Sequence, residues 1–375
     1  MIYLDYAATT PISDNALHVF NEVSKNYYGN PNSLHDIGTS SKAVLEHCRE
    51  ELAKLVDAPS NGIYFTSGGT ESNILAVKTL LRANKRKGKH IITTAMEHSS
   101  LYNFFKQLEY EQGYSVSYLA IDKFGQVAID QLKEIISNDT ILASIQHANS
   151  ELGTIQQLED IGEILHHNGV FFHSDCVQTF GKIPVNINQL KIDSLSISSH
   201  KIYGPKGVGA VYLNPSISWS SDFNNSNQEK GFRAGTVNVA GIAGFVTAAQ
   251  DICKNIEFEQ KRLSNLREYF ISKINDLEFK MEIINSKSQL PNIIGILLNR
   301  TQGDYAMLEF NRAGIAISTG SACSLGDQQP SRSVMELGKS EAEAKRFIRI
   351  SLGKSTSQGD IDKAIDICKK VSNNL

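Results

Sequence analysis

Short apolar runs near residues 62–66, 90–94, 141–146, 170–174, 193–198 and 208–213 alternate with helical patterns such as 72–83, 101–111 and 159–167. Strands that take turns with helices in this way are covered on both faces, so the spacing predicts an α/β fold with a mostly parallel sheet wrapped by helices. The last two strands flank a glycine-rich turn at 204–209, short enough for an antiparallel pair. From about residue 257 the pattern changes to a charged helix, 257–277, followed by short strands near 293–298, 315–318 and 347–352 with helices at 304–312 and 341–346. That reads as a separate, smaller α+β unit, which the first dozen residues are expected to join. At 375 residues the chain exceeds the usual size of a single core. The expected division is 13–256 for a large domain and 1–12 with 257–375 for a small one.

Three of these strands end in residues that can do chemistry. The run 193–201 delivers Lys201 after Ser198-Ser-His200, just before the glycine-rich turn. A lysine used as a nucleophile must be desolvated or flanked by cations, and His200 and Lys206 are near in sequence; the natural product of that chemistry is a Schiff base. A lone lysine in such a place is ordinarily a surface residue on a hairpin; its company argues otherwise. The strand through 170–174 delivers Asp175 at its carboxyl end, where open α/β sheets bind ligands, and a carboxylate there can pair with the protonated ring nitrogen of pyridoxal 5'-phosphate. Gln178, three residues on, can reach the phenolic oxygen of such a ring. Taken alone, Asp175 is equally a helix N-cap. The third strand runs into Ser67-Gly-Gly69-Thr70 and an amphipathic helix, a start whose backbone N–H groups favour a phosphate and whose glycines let it come close.

Composition narrows the classes. A net charge of -3 gives no sign of a basic nucleic-acid surface. No run approaches the ~18 apolar residues of a membrane span, and the first residues lack the basic-then-apolar pattern of a leader, so the expected place is the cytoplasm. Five cysteines show neither disulfide pairing nor a Cys-x-x-Cys metal signature, and no metal site is expected. Cys48, Cys253 and Cys368 lie in helical-looking segments, where a buried inert thiol is the default. Cys323 follows a strand, in a stretch of small residues that continues as a polar loop to Pro330. A thiol needs a base or cation nearby to act as a nucleophile, and on the residues alone a nucleophile and a bystander fit Cys323 equally. The polar stretch 216–231 is expected to be a mobile surface segment.

Taken together, Lys201 after Ser-Ser-His, Asp175 in His-Ser-Asp-Cys-Val-Gln, the Ser-Gly-Gly-Thr-Glu-Ser-Asn turn at 67–73 and the opening Tyr3-Leu-Asp-Tyr-Ala-Ala-Thr-Thr-Pro11 resemble the cysteine desulfurases, fold-type I pyridoxal-phosphate enzymes of the class V aminotransferase group. Gly29-Asn-Pro-Asn-Ser-Leu-His35, Arg233-Ala-Gly-Thr-Val-Asn238 and Ile317-Ser-Thr-Gly-Ser-Ala-Cys323 extend the resemblance, which runs from residue 3 to about residue 355. It implies the PLP-dependent transferase fold type I, with a seven-stranded sheet in the large domain and the cysteine loop on a small α+β C-terminal domain.

It also implies roles. Lys201 would hold the cofactor and move protons, and the Cys323 thiolate would attack the sulfur of L-cysteine, leaving a persulfide and alanine. His98 would stack on the ring and serve in proton transfer, with a capping or core role as its alternative. Gly69, Thr70, Ser198 and His200 would contact the phosphate, and Thr236 the phosphate of the neighbouring subunit of a homodimer. Asn149 would lie near ring and substrate, and Arg349 would bind the substrate carboxylate through its planar fork. The family has Asn-Asn-Glu where this chain has Asn149-Ser150-Glu151, which leaves the second position without an assigned role. The spacing from Cys323 to Pro330 resembles the longer-loop desulfurases, which pass sulfur to an acceptor protein such as an iron–sulfur scaffold or a tRNA-thiolating enzyme, with no direct contact to nucleic acid. Two other readings share these residues: a selenocysteine lyase or class V aminotransferase, and a non-catalytic sulfur-transfer scaffold.

Overall fold

The computed structural model of the chain describes residues 1–84, 88–220, 228–275, 281–320 and 329–373. Its main sheet has seven strands: β2 (Ile63–Thr66), β3 (His90–Thr94), β4 (Ser115–Leu119), β5 (Thr140–Ser144), β6 (Phe171–Asp175), β7 (Ser194–Ser198) and β8 (Gly209–Leu213), in the spatial order β2-β8-β7-β6-β5-β3-β4. The five strands from β4 to β7 are mutually parallel, and β8 enters antiparallel between β7 and β2. The expected antiparallel pair around 204–209 is therefore present.

Helices cover both faces, and the strands show it. Every residue of β7, including Ser194, Ser196 and Ser198, is buried, although Ser-Leu-Ser-Ile-Ser alternates polar and apolar residues in the manner of a strand with one wet face. The serines are small enough to let helix α3 (Gly69–Asn84) lie close over them, while Leu195 and Ile197 point into the opposite core with Phe65, Phe172 and Phe245. Three further helices precede or follow: α1 (Asp14–Asn26) and α2 (Asp36–Lys54) before the sheet begins, and α4 (Ser99–Gln112) after β3.

A second core gathers Leu4, Phe270, Ile294, Ile296, Phe310, Ile348 and Ile350. It is built on the helix Ile256–Asn275 and on the antiparallel strands β9 (Glu282–Ile284), β10 (Ile293–Leu297) and β12 (Phe347–Ser351), with β10 in the middle. The N-terminal strand β1 (Ile2–Tyr3) pairs in parallel with β11 (Ile315–Ala316). Its continuation bridges the two cores: Leu4 sits in the second, Asp5 pairs with Ser351, and Thr10 N–H donates to the carbonyl of His200 at 2.9 Å. Residues 5–10 are thus laid directly beside Lys201. Among the described residues no helix is long and apolar enough to cross a membrane.

Candidate active site

The carboxyl ends of β2, β6 and β7 meet at one edge of the sheet. At the end of β6, buried Asp175 accepts from Val177 N–H through Oδ1 at 2.9 Å and from Asn73 Nδ2 through Oδ2 at 2.7 Å. The helix N-cap alternative is not realised, since the next helix begins only at Ile187: Oδ1 closes a turn at the strand end, and each oxygen keeps a free lone pair. Asn73 also donates to Ser100 Oγ at 3.3 Å, and Ser100 Oγ lies 2.8 Å from His98 Nδ1. A hydrogen-bonded chain thus links Asp175 to His98.

His98 is the N-cap of α4, its Nδ1 accepting from Ser100 N–H at 3.2 Å. An acceptor Nδ1 leaves the proton of the neutral ring on Nε2. Packing against the protein lowers the pKa of His98; Asp175 pulls it up, while the charges of Lys201 and Arg332 push it down. The capping alternative is realised here, and it fixes the tautomer.

Where β2 runs into α3, a Cβ on Gly69 would stand 3.0 Å from Val177 Cγ2 and 3.6 Å from Ser198 Cβ. The turn is therefore seated on the ends of β6 and β7, with Thr70 exposed in the first turn of α3. Beneath it Ser198 Oγ is buried with no hydrogen-bond partner. His200, next along, is held neutral: burial and the charge of Lys201 bring its pKa down to about 4, and its Nδ1 lies 3.1 Å from Thr9 Oγ1.

Lys201 Nζ donates to the carbonyls of Ala7 and Ala8 at 2.6 and 2.8 Å. Gln178 Nε2 donates to the same Ala7 carbonyl at 3.0 Å, so the N-terminal segment is the shared floor of both side chains. A second lysine, which the sequence reading missed, stands beside them. Lys182 Nζ donates to the backbone and side-chain oxygens of Gln178, and burial together with the charges of Lys201 and Arg349 lowers its pKa to about 7.

Arg349, buried in the middle of β12, faces this group from the second sheet. Its Nη2 pairs with Asp5 Oδ1 at 2.7 Å and its Nη1 donates to the Ser150 carbonyl at 2.9 Å, while Nε is buried without a partner. The guanidinium is thus held by an ion pair to the N-terminal segment, and one buried donor stays unspent. Position 150 acts through its backbone, which any residue supplies. Asn149 spends its whole amide on protein: Oδ1 accepts from the N–H groups of Glu151 and Leu152, and Nδ2 donates to Met96 O and Ser333 Oγ. A ring or substrate contact by Asn149 would have to displace one of these.

Thr236 is exposed, between Gly235 at φ +99° and the buried Val237, ahead of the helix Val239–Lys254. Cys323 lies outside the described residues. The other four thiols are held protonated by burial, Cys48, Cys176 and Cys368 pushed up to about 12 and Cys253 to about 11. Besides Asn73 and Lys182, the sequence reading missed Glu97 and Arg332. Arg332 donates to the Glu97 carbonyl at 2.6 Å and lies 3.7 Å from the centroid of the Tyr102 ring.

Comparison with known proteins finds relatives over the length of the chain. The family pattern described as aminotransferase class-V matches residues 2–364. A NifS protein of Bacillus subtilis (strain 168) is 48% identical over 97% of this chain and 93% of its own length. The cysteine desulfurase IscS of Dictyoglomus turgidum (strain DSM 6724 / Z-1310) is 39% identical over 100% and 95%. Among solved structures, a NifS-like protein superposes with a TM-score of 0.92 at 31% identity, covering 100% of both chains. SspA in complex with cysteine superposes with a TM-score of 0.83 at 31% identity, over 94% of this chain and 99% of that one. The chain belongs to the aminotransferase class-V family, in its cysteine desulfurase group.

Proposed function

We propose that this protein is a pyridoxal-phosphate-dependent cysteine desulfurase that takes sulfur from L-cysteine, releases alanine and carries the sulfur as a persulfide on Cys323. The observation that supports it most is the meeting of Lys201, Asp175 and the partnerless Ser198 hydroxyl at one sheet edge, opposite an arginine on β12 with an unspent donor. The residues present fit the cofactor. An orphaned buried hydroxyl, a neutral imidazole and the N-terminus of α3 suit a phosphate, and a buried carboxylate suits a pyridinium nitrogen. When bound, the pyridoxal ring supplies an electron sink that weakens the C–S bond of the amino acid.

The chain's own residues do the rest. Asp175, its oxygens oriented by Asn73 and Val177, holds a proton on the ring nitrogen. Gly69, Thr70, Ser198 and His200 hold the phosphate, with Thr236 offered to the site of a second subunit. Gln178, fixed by Ala7 and Lys182, would hold the phenolic oxygen. Arg349 draws in the substrate carboxylate through its free edge, exchanging part of its bond to Asp5. Lys201 gives and takes the proton on the substrate's α-carbon, and His98, with its proton on Nε2, exchanges protons beside the ring. Lys201 has carbonyl partners to leave when it moves. The Cys323 thiolate bonds to the substrate sulfur as the C–S bond breaks, and a proton completes alanine. From the separate cores, we place the division between a large and a small domain near residue 256, with the N-terminal segment belonging to the small one. The acceptor we propose is an iron–sulfur scaffold or a tRNA-thiolating enzyme, in the cytoplasm.

The test pairs two variants. Lys201→Ala should lose the absorbance near ~400 nm of the lysine-bound cofactor, and borohydride should fix the cofactor to Lys201 in the wild type. Cys323→Ser should keep that absorbance yet form no persulfide from L-cysteine by mass spectrometry. Alanine release at the wild-type rate from Cys323→Ser would favour the lyase reading instead.

A further inference from the structure

The polar segment 216–231 does not end as a loose surface loop. Glu229 is buried, and its carboxylate meets the guanidinium of Arg49 on α2 in a two-pronged pair, Nη1 to Oε2 at 2.8 Å and Nη2 to Oε1 at 2.9 Å. The exposed fraction of the two side chains is 3% and 1%. Around the pair, Arg49 donates to the Ile63 carbonyl at 2.8 Å and Glu229 accepts from Phe65 N–H at 2.7 Å. Strand β2 is the edge of the main sheet, so these are backbone groups with no strand to pair with, and the ion pair takes that place.

Capping an edge does not require two charges out of water, nor the left-handed backbone that Glu229 (φ 45°) and Lys230 (φ 55°) adopt. Those costs fix a chain path. Immediately after, Phe232 is fully buried against Tyr64, with ring centroids 4.7 Å apart, and Arg233 Nε grips both oxygens of Glu71 at 3.1 and 3.0 Å. Glu71 in turn accepts from Ser67 N–H. The segment 229–233 is thus fastened to the strand before the turn 67–70 and to the helix turn after it. Thr236 follows three residues later, exposed.

We infer that Arg49 and Glu229 are positioning residues for the phosphate end of the site, tying the segment that presents Thr236 to the subunit's own phosphate turn so that one subunit's loop geometry sets cofactor retention in its neighbour. This rests on the proposed reading, in which the cofactor is pyridoxal phosphate and Thr236 serves a second subunit.

The experiment is a double-mutant cycle on the holoenzyme, read as the rate of cofactor loss after dilution into buffer without pyridoxal phosphate. Glu229→Gln keeps an acceptor for Phe65 N–H, removes the charge and sets an NH2 donor where Oε1 accepted from Arg49 Nη2, so the two-pronged pair is broken. It should release cofactor about tenfold faster than the wild type. Thr236→Ala should do the same, and Glu229→Gln with Thr236→Ala should be no worse than the faster single variant, because Glu229 acts through Thr236. Losses that multiply in the double variant would overturn the inference. So would a Glu229→Gln enzyme that melts at a lower temperature but retains cofactor like the wild type, since that is mere edge capping. If Glu229→Gln does not fold, Arg49→Lys, which keeps the charge and loses the fork, carries the same cycle. A wild-type protein that binds no pyridoxal phosphate would instead defeat the proposed function.

Discussion

Glu97 shows how strongly this site departs from water. Its Oε1 accepts from Thr94 Oγ1 and Gln146 N–H, both at 2.9 Å, while Oε2 is buried with no partner. Burial pushes the pKa up to about 8, with the charge of Asp175 acting in the same direction. The folded protein therefore keeps a proton on Glu97 that the unfolded chain gives up near its ordinary value of about 4.3. Stability from this group is fully present below that value and is lost as pH rises through about 8. Glu97→Gln imitates the neutral form at every pH. Urea titrations should find the variant close to the wild type at pH 5 and more stable than it at pH 8.5, by on the order of 3 kcal/mol. A difference that does not change with pH would show that Glu97 is ionised in the fold. His147 works in the opposite sense: burial brings it down to about 4, so its contribution is complete above about pH 6.5 and fades as pH falls toward 4.

At the scale of elements, the meeting of β8 with the turn after β2 shapes the end of the site proposed for the phosphate. Gly209 opens β8 opposite Thr66 and Ser198, and a Cβ there would lie 2.7 Å from Gly68 Cα and 2.9 Å from the Ile197 carbonyl. Both obstacles are backbone, so Gly209→Ala must move the turn. It should cost about 2 kcal/mol in urea unfolding and weaken pyridoxal phosphate binding. Gly207→Ala is the control: its φ of +77° strains an alanine, but nothing stands within 4 Å of the new carbon, so it should lose about 1 kcal/mol and leave cofactor affinity alone. Equal affinity in both variants would separate β8 packing from the site. The same elements explain what could be read from sequence. Strands β3, β5, β6, β7 and β8 are buried on both faces or nearly so and stood out as short apolar or small-residue runs. β4, an edge strand with four of five residues at least partly exposed, and β9, three residues long, carry too little pattern and were not foreseen. Asp175 was legible because it ends such a strand, and Lys201 because it stands in the turn directly after one. Asn73 lay in plain view within the 67–73 motif, one helical turn after Thr70, but its link between Asp175 and Ser100 needs the fold to bring residues a hundred positions apart together. The Arg49–Glu229 pair spans 180 positions and had no local signal at all.

At the scale of the whole molecule, a single chain leaves surfaces that ask for a partner. Tyr28, Leu34 and Ile37 are 71%, 100% and 45% exposed within one short segment, the 29–35 motif and its flanks. Large apolar side chains grouped so closely are costly to leave in water, and we propose this segment as a contact face between copies of the chain. Thr236, also exposed, makes no contact with its own subunit's Lys201 or Ser198 among the described hydrogen bonds, although its motif is held rigidly by Phe232 and Arg233. If two copies associate in a closed pair, each threonine completes the other's phosphate site, and cofactor binding and association become linked equilibria. Sedimentation over a dilution series, with cofactor absorbance followed in the same cell, should then show the bound fraction falling together with the dimer. Added pyridoxal phosphate should shift dissociation to lower protein concentration, because a ligand that binds only the dimer stabilises it by mass action. Leu34→Asp should move both curves to higher concentration in step, as a charge placed in an apolar contact weakens association without touching Lys201 or Asp175. A monomer that keeps its cofactor as tightly as the assembled protein would show that each site is complete within one chain, and Thr236 would lose its assigned place at the phosphate.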